Sequence, residues 1–329
     1  MFKKFDLQLF AQTWNPDNVT VYEAKDGTIP QKYNQLILQE VMENSKVMQL
    51  AKFEAMDSKE KEFEYYAKGP GAYWVGEGVK IQTSKPQWAK AKMVAKKLGV
   101  IVPVSREFLH YKLSNFFEQV RPKIAEAFYK KFDDAAIRNI ENPYTQSVEQ
   151  SVTTTSQIVT GGLTYDNILA LEDFITDADH TPNAFISTAK NRSSLRNARK
   201  IEGGTVVESI YDRANNTIDG LPVADLKSLD KGVLYTGDFD YMYYGIPYAI
   251  NYKISEEAQL STLTNEDGTP VNLFEQELLA LRATMDVAFM IVKDDAFARL
   301  GTPSENAESG NEPSENTESG NTESENTGA

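Results

Sequence analysis

The chain lacks cysteine altogether and holds two histidines, His110 and His180, in 329 residues. Disulfide bonds, zinc sites built from thiolates and cysteine nucleophiles are therefore excluded. Neither histidine has a cluster of other ligand-type residues near it in the sequence, so we expect no metal site and no histidine-centred catalytic site. The apolar runs are too short to cross a bilayer, so we expect no membrane partner.

The motifs that mark common enzyme classes are missing as well. The sequence contains no Gly-rich phosphate-binding loop, no HExxH zinc motif and no Gly-x-Ser-x-Gly nucleophile turn. The run from Asn265 to Gly268 lacks the later ligand positions of a calcium loop, so it is interpreted as a turn. We expect no enzymatic activity, no catalytic residues and no cofactor. An enzyme with an unfamiliar site stays open as an alternative.

Positive charge is scarce, since 34 Lys and Arg stand against 48 Asp and Glu and the net charge is −14. Seven of the glutamates lie in the last segment, Thr302 to Ala329, which has no Lys or Arg. Because phosphates attract cations, so acidic a chain is not typical of general nucleic-acid binding. The tail repeats Ser-Glu-Asn from Ser304 and has no aromatic residue, so residues 302–329 are predicted to be disordered.

One long amphipathic helix is predicted from Asn115 to Asn139. The apolar residues on its predicted inner face recur every three or four positions, at Phe117, Val120, Ile124, Phe128, Phe132 and Ala135. Asn115 and Glu118 match a capping box at its start. Pro122 removes an amide donor, so we expect the main helix to begin or kink there. A helix of this length, apolar on one side, requires a sheet or loop packed along it.

The same periodicities predict shorter elements. Helices are expected at Gln35–Leu50, Tyr165–Asp177 and Thr188–Lys200, and a Ser/Thr-rich connector at Ser147–Thr160. Short strands are expected at Leu221–Leu229, Val233–Thr236, Tyr241–Tyr244 and Tyr248–Ile254. A closing strand, Leu281–Lys293, alternates apolar and polar residues as a half-buried strand does.

The segment from Phe53 to Val104 is predicted to be a long β-hairpin. One strand is indicated around Phe63 to Tyr66 and the other from Trp88 to Val102, on either side of a glycine-rich tip. An isolated two-stranded hairpin is marginally stable in water, so a long one implies a partner surface.

A series of short motifs, in one order from about Leu36 to Leu300, resembles the major capsid proteins of tailed phages with the Hong Kong 97-type fold. The motifs are Ala72–Gly78, Lys97–Leu98, Val102–Leu109, Phe132–Ala136, Asp219–Val223, Thr236–Phe239, Asn272–Gln276, Leu281–Ala283 and Asp294–Phe297. The resemblance looks closest to capsid proteins of phages of low-GC Gram-positive bacteria. Met285 departs from the pattern, because many relatives carry Arg there.

The resemblance implies an α+β fold with an N-terminal arm, an extended β-hairpin loop, a long spine helix, a peripheral domain and an axial domain. The implied division is a cleavable leader at 1–11, the arm at 12–35, the start of the peripheral domain at 36–52, the extended loop and its base at 53–104, the peripheral domain with the spine helix at 105–162, the axial domain at 163–263, the closing strand of the peripheral domain at 264–301 and the tail at 302–329.

The function implied by the resemblance is that of a structural protein. Copies of the chain would assemble as hexamers and pentamers, in the host bacterial cytoplasm, into the icosahedral or prolate head of a virion. That head would join a portal protein and enclose double-stranded DNA by non-specific contact. The region before Leu36 is short, so a separate scaffolding protein is expected. An encapsulin-like compartment shell, which shares the fold, stays open as an alternative.

The first residues resemble a leader that a host-type cysteine protease removes from some capsid proteins. The match covers Asp6 to Ala11, with Asp6 where Asn is more usual. The resemblance therefore predicts a maturation cleavage between Ala11 and Gln12. A secretory signal is excluded because Asp6 and Gln8 interrupt the apolar stretch.

Two groups of cations are candidate contact sites. Lys90, Lys92 and Lys96 fall on one side of the second hairpin strand; by resemblance they face acidic groups of a neighbouring subunit, with Tyr73 and Trp74 as the apolar anchor at the tip. The alternative is that they only keep an edge strand soluble. The second group, Lys190, Arg192, Arg196, Arg199 and Lys200, has no acid among it. It would bind packaged DNA or an acidic neighbour, or it is a solvated helix face.

Overall fold

The structure, a computed structural model, describes residues 31–68, 80, 87–202, 205–248, 250–265 and 268–301. The helices are α1 Gln31–Asn44, α2 Lys46–Leu50, α3 Arg106–Arg138, α4 Val148–Thr155, α5 Tyr165–Asp177 and α6 Arg192–Asn197. The strands are β1 Lys52–Phe53, β2 Glu60–Lys68, β3 Gln87–Ser105, β4 Ile158–Val159, β5 Ala184–Ser187, β6 Arg199–Glu202, β7 Thr205–Ser209, β8 Tyr211–Asp212, β9 Thr217–Ile218, β10 Leu221–Asp225, β11 Leu234–Gly237, β12 Met242–Gly245, β13 Asn251–Ser255, β14 Gln259–Thr264, β15 Pro270–Asn272, β16 Leu278–Ile291 and β17 Phe297–Leu300. Short 3₁₀ turns occupy Ala189–Asn191, Phe239–Tyr241 and Asp294–Ala296.

The long helix α3 is the longest of the described helices, at about 50 Å for its 33 residues. The predicted start at Asn115 is wrong, because α3 begins at Arg106, immediately after β3 ends. Pro122 lies inside α3, so the helix does not begin there as expected, although proline removes one amide donor. The predicted end is confirmed to within one residue, since Asn139 follows with φ of 59°, a conformation in which helices commonly end.

The predicted apolar face of α3 packs onto the core of the molecule. Ile124, Phe128 and Phe132 are buried there. The ring of Phe132 meets those of Tyr144 and Phe289 edge-on, each with centroids 6.2 Å apart. The Tyr144 hydroxyl donates to the carbonyl of Val287 at 3.1 Å, so the aromatic cluster joins α3 to β16.

A mixed sheet with the strand order β1-β12-β16-β3-β2 lies against α3, and β13 also pairs with β16. The strand β16 is antiparallel to β3, from Leu278 opposite Ser105 to Ala288 opposite Ala95. The closing strand is thus confirmed, with its start three residues earlier than predicted. Its alternation of buried and partly exposed residues ends at Val287, because Ala288 and Met290 on the other face are buried in a second apolar cluster.

A second sheet has the order β4-β17-β11-β5-β10-β9-β8. Helix α5 covers one face of it with Ile168, Leu171 and Ile175, all fully buried. The periodicity that predicted α5 is therefore confirmed from its first residue to its last. Thr164 begins the helix, since its hydroxyl accepts a hydrogen bond from the amide of Asn167.

The structure of this sheet explains one of the motifs that resemble the capsid family, the run Gly237-Asp238-Phe239. Gly237 packs so tightly that an added Cβ would lie 2.5 Å from the carbonyl oxygen of Ala296. The carboxylate of Asp238, next in the chain, accepts a hydrogen bond from the amide of Asp240 and so begins a 3₁₀ turn. Phe239 is buried against Phe297, with ring centroids 5.5 Å apart. The Gly-Asp-Phe run thereby fixes how β11 meets β17.

Two predicted elements are wrong. The Ser/Thr-rich stretch Ser147–Thr160 is not a connector, because most of it forms α4, capped by the Ser147 hydroxyl. The candidate helix Thr188–Lys200 is divided among a 3₁₀ turn, the short α6 and the start of β6. It lacks a continuous apolar face, since Leu195 and Ala198 are its buried hydrophobic residues.

The division into peripheral and axial domains stays a prediction. The chain crosses between the two sheets several times, because β12 and β13 pair with the closing strand β16, whereas β17, after it, pairs with β11.

Candidate intersubunit surfaces

The predicted long hairpin is formed by β2 and β3. The two strands are antiparallel, with Glu60 opposite Val94 and Tyr66 opposite Trp88. From Ala95 to Ser105, β3 instead pairs with β16 in the central sheet. The strand β3 is about 60 Å long, so its first half, paired with β2, carries the ribbon away from the sheet.

One face of the described ribbon is apolar and belongs to the core. Met93 and Ala95 are fully buried there, and they pack with Met56, Ala288 and Met290. The opposite face carries the charges: Glu60, Glu62 and Glu64 on β2, and Lys90 and Lys92 on β3. Lys90 and Lys92 thus lie on one side of β3, as predicted, opposite the face of Met93 and Ala95.

The lysines of this face have partners within their own hairpin. The ammonium of Lys90 lies 3.1 Å from a carboxylate oxygen of Glu64, and that of Lys92 lies 2.6 Å from one of Glu60. These hydrogen bonds raise the pKa of both lysines. These glutamates were not among the predicted contact residues, although Glu60, Glu62 and Glu64 stand at alternate positions in the sequence.

Two charged residues on this face of the hairpin are not in such a pair. Among the described residues, Glu62 and Lys96 have no oppositely charged side chain within 4 Å. Lys96 lies opposite Val287 of β16 and is partly exposed. Of the other predicted contact residues, Tyr73 and Trp74 lie outside the described residues, as do the leader with Ala11 and Gln12, the arm up to residue 30 and the tail.

The five basic residues between positions 190 and 200 form an exposed surface, here called the basic patch. The patch is Lys190, Arg192, Arg196, Arg199 and Lys200. It spans a 3₁₀ turn, α6 and the start of β6 rather than one helix face. The guanidinium of Arg192 pairs with Asp225, and the ammonium of Lys200 lies 3.1 Å from Glu202. The Arg199 guanidinium donates to the carbonyl of Arg196 at 2.7 Å.

A buried ion pair lies between α4 and the second sheet. Arg299 of β17 is 2% exposed and pairs with the carboxylate of Glu149 on α4. The second oxygen of Glu149 accepts a hydrogen bond of 2.6 Å from the hydroxyl of Tyr235 on β11. Burial raises the pKa of Tyr235, and the adjacent Glu149 raises it further. The group fastens α4 to the second sheet, and its geometry is structural.

His180 is likewise structural. Its ring is buried against Tyr241, with centroids 5.0 Å apart, and its Nε2 lies 3.1 Å from a carboxylate oxygen of Asp295. Within the described ranges, no three His, Asp or Glu side chains converge in a way that could hold a metal ion. Among those same residues, no helix has both the length and the apolar character needed to span a bilayer.

Comparison with known proteins identifies the family. The model of the phage capsid family matches residues 26–301. A protein named major capsid protein, from Staphylococcus phage 80alpha, is 54% identical over 315 residues, which are 93% of this chain and 96% of that protein. Its host fits the resemblance to phages of low-GC Gram-positive bacteria.

Solved structures show the same fold at much lower identity. A chain from Mycobacterium phage Adephagia superposes with a TM-score of 0.64 at 21% identity, covering 78% of this chain and 90% of that one. A chain from Microbacterium phage Oxtober96 gives 0.63 at 22%, covering 78% and 91%. The predicted α+β fold of the Hong Kong 97 type is thus confirmed. On the sequence and the fold together, the chain belongs to the phage capsid family.

Proposed function

We propose that this chain is the major structural subunit of a tailed-phage head. The observation that carries the proposal is its 54% identity, over 93% of its length, to a protein named major capsid protein. Copies of the chain would form hexamers and pentamers that close into a shell around double-stranded DNA, with a portal protein at one vertex. The role is structural, and no catalytic constellation is assigned to the chain.

The ribbon of β2 and β3 is the proposed contact between neighbouring subunits. Over Gln87 to Val94, the described pairing of β3 is to β2 alone. A two-stranded ribbon that extends from its sheet is marginally stable in water, so burial against another surface would stabilise it. The neighbouring subunit supplies that surface, with Tyr73 and Trp74 as apolar anchors at the tip.

The charges of the ribbon determine which of its residues could form ion pairs with the neighbouring subunit. Lys90 and Lys92 are balanced by Glu64 and Glu60, and they form a row of opposite charges along the strands. Lys96 has no carboxylate within 4 Å among the described residues, so it is available to a second copy. Glu62 also has no ion pair within 4 Å among those residues, although it lies opposite Lys92 and its charge helps to raise the pKa of Lys90 and Lys92. Because exposed ion pairs contribute about 0–1 kcal/mol each, these contacts would set register and assembly rate more than final stability.

Further partners complete the proposal. A separate scaffolding protein would set the size of the shell during assembly in the host cytoplasm.

A host-type protease would remove residues 1–11, since Asp6 to Ala11 resembles its substrates. Intact-mass measurement of virion-derived chains tests the cleavage: loss of the first eleven residues is expected, and a retained Met1 contradicts it.

The content of purified particles tests the main proposal. Particles are treated with nuclease, and the protected contents are then analysed for DNA and for protein. A phage head protects genome-length double-stranded DNA, whereas an encapsulin-like compartment holds enzyme cargo and no protected genome. The match to the phage capsid family favours the first outcome. Particles filled with a cargo protein would contradict the proposal.

A further inference from the structure

We propose that the acidic tail, residues 302–329, binds the basic patch of its own chain and covers it in the unassembled subunit. The tail has seven glutamates and no Lys or Arg, and the patch has five cations, of which Arg192 and Lys200 pair with Asp225 and Glu202. The tail would thus act as an internal competitor of nucleic acid for one positively charged surface.

The place where the tail leaves the structure carries the inference. Gly301, the last described residue, lies so close to Gly232 that an added Cβ would be 2.6 Å from the Gly232 carbonyl oxygen. The amide of Gly232 donates a hydrogen bond of 2.7 Å to the side-chain oxygen of Asn191. Asn191 stands between Lys190 and Arg192 in the chain. The tail therefore begins beside Gly232, which one hydrogen bond links to the turn that carries Lys190 and Arg192.

Part of the positive charge of the patch is not paired with a carboxylate. Among the described residues, Lys190 and Arg196 have no carboxylate within 4 Å, although both are exposed. Arg192 shares its charge with Asp225 alone. Exposed Lys231, next to Gly232, extends the positive surface toward the start of the tail.

The tail is long enough and close enough to use these charges. Its glutamates are Glu305, Glu308, Glu312, Glu315, Glu318, Glu323 and Glu325. An extended chain advances at most about 3.6 Å per residue, so Glu305, four residues after Gly301, reaches about 14 Å. Covalent attachment raises the effective concentration of the tail to the millimolar range, so that individually weak ion pairs can hold it in place. Because these pairs are exposed, salt should release the tail.

Zero-length crosslinking with a carbodiimide tests the contact in the full-length, unassembled chain. We expect amide crosslinks from tail glutamates to Lys190, Lys200 and Lys231, which disappear at high salt. Lys123 and Lys131 of α3, also exposed, serve as control sites and should give few. A mixture of isotope-labelled and unlabelled chains should show that the crosslinks form within one chain. Crosslinks spread evenly over all lysines, or formed only between chains, would overturn the proposal.

Binding of a short DNA duplex provides the second readout. A chain with all seven tail glutamates changed to Gln should bind the duplex roughly tenfold more tightly at low salt, because the patch is uncovered. Adding K190Q and R196Q should abolish that gain, whereas adding K123Q and K131Q should keep most of it. Equal affinity of the tail variant and the unchanged chain would overturn the proposal. If K123Q and K131Q reduced the gain in affinity as much as K190Q and R196Q do, the proposal would also be overturned. None of these results depends on whether the chain builds a phage head.

Discussion

The carboxylate of Asp133 accepts a hydrogen bond of 2.6 Å from the hydroxyl of Ser45, a residue 88 positions earlier in the chain. The same carboxylate accepts hydrogen bonds from the amides of Lys46 and Val47, at 2.8 and 3.2 Å. These amides belong to the first residues of α2 and have no acceptor within that helix. A side chain of the long helix α3 therefore supplies their hydrogen-bond acceptor. One buried acid thereby fixes how the N-terminal helices dock on the long helix.

Removing this carboxylate should weaken the fold. Asp133→Ala leaves the Ser45 hydroxyl and two amides without their acceptor, so we expect a loss of about 3 kcal/mol in the free energy of unfolding. Denaturant unfolding of the unassembled chain measures it. The neighbouring Asp134→Ala is the control; it removes one ion pair with Arg138 and should cost less than about 1 kcal/mol. Equal losses in the two variants would show that the Asp133 contacts are unimportant.

The same residue should make stability depend on pH. Burial raises the pKa of Asp133 from its ordinary 3.8 to about 6, despite hydrogen bonds that favour the charged form. The folded chain then binds this proton more tightly than the unfolded chain. The resulting stabilisation is complete below pH 3.8 and is lost as the pH rises through 6.

Asp133→Asn, which cannot titrate, isolates this effect. The free energy of unfolding of the unchanged chain, minus that of the variant, should fall by about 3 kcal/mol between pH 3.5 and 7. Denaturant titrations at a series of pH values measure the difference, in which the other titrating groups cancel. A difference that stays constant over this range would contradict the raised pKa.

The buried pair of Glu149 and Arg299 should show strong coupling. Arg299→Leu strands the carboxylate of Glu149 in the core, and we expect a loss of about 3–5 kcal/mol in the free energy of unfolding. Glu149→Gln should likewise be costly. The double variant leaves no buried charge, so it should lose clearly less than the sum of the two single losses. Additive losses would mean that the two side chains do not act as a pair.

The hairpin lysines should matter for assembly. Changing Lys90, Lys92 and Lys96 together to Glu should block shell formation, because it reverses all three lysine charges on the face that we place against a neighbouring subunit. Since this change also puts like charges beside Glu60 and Glu64, the fold of the variant must be checked by circular dichroism. Sedimentation analysis measures assembly.

A charge swap separates the two roles of this face. In the variant E60K, E62K, E64K, K90E and K92E, each pair inside the hairpin is kept with its charges exchanged, and Glu62 is included because it lies opposite Lys92. If the face contacts a neighbour, the swapped chain should fold and still assemble poorly. Normal assembly of the swapped chain would show that these residues serve the hairpin alone.

The spacing of apolar residues predicted the elements that depend on residues close together in the chain. Helix α5 follows from Ile168, Leu171 and Ile175 at helical spacing. The stretch that forms α4 was missed because its hydroxyls suggest a loop. In the structure, Thr153 and Thr154 instead donate to carbonyls four residues earlier, within the helix itself.

The parts that the sequence did not predict depend on distant contacts. The pairing of Lys90 with Glu64 requires the register of β2 against β3, and the bond from Ser45 to Asp133 requires the docking of two helices. No periodicity in either segment contains that information. The resemblance to a family supplied the fold, but not which charges of the candidate contact face are already balanced within one chain.

Electron cryo-microscopy of DNA-filled particles tests the central claim most directly. The claim is that this chain builds the shell and that its β2–β3 ribbon joins adjacent copies. We predict a closed shell of repeated copies, in which the ribbon of each copy lies over a neighbouring copy with Lys96 and Glu62 at the contact. A shell in which every ribbon lies over its own subunit, or particles without this chain in the wall, would contradict the account.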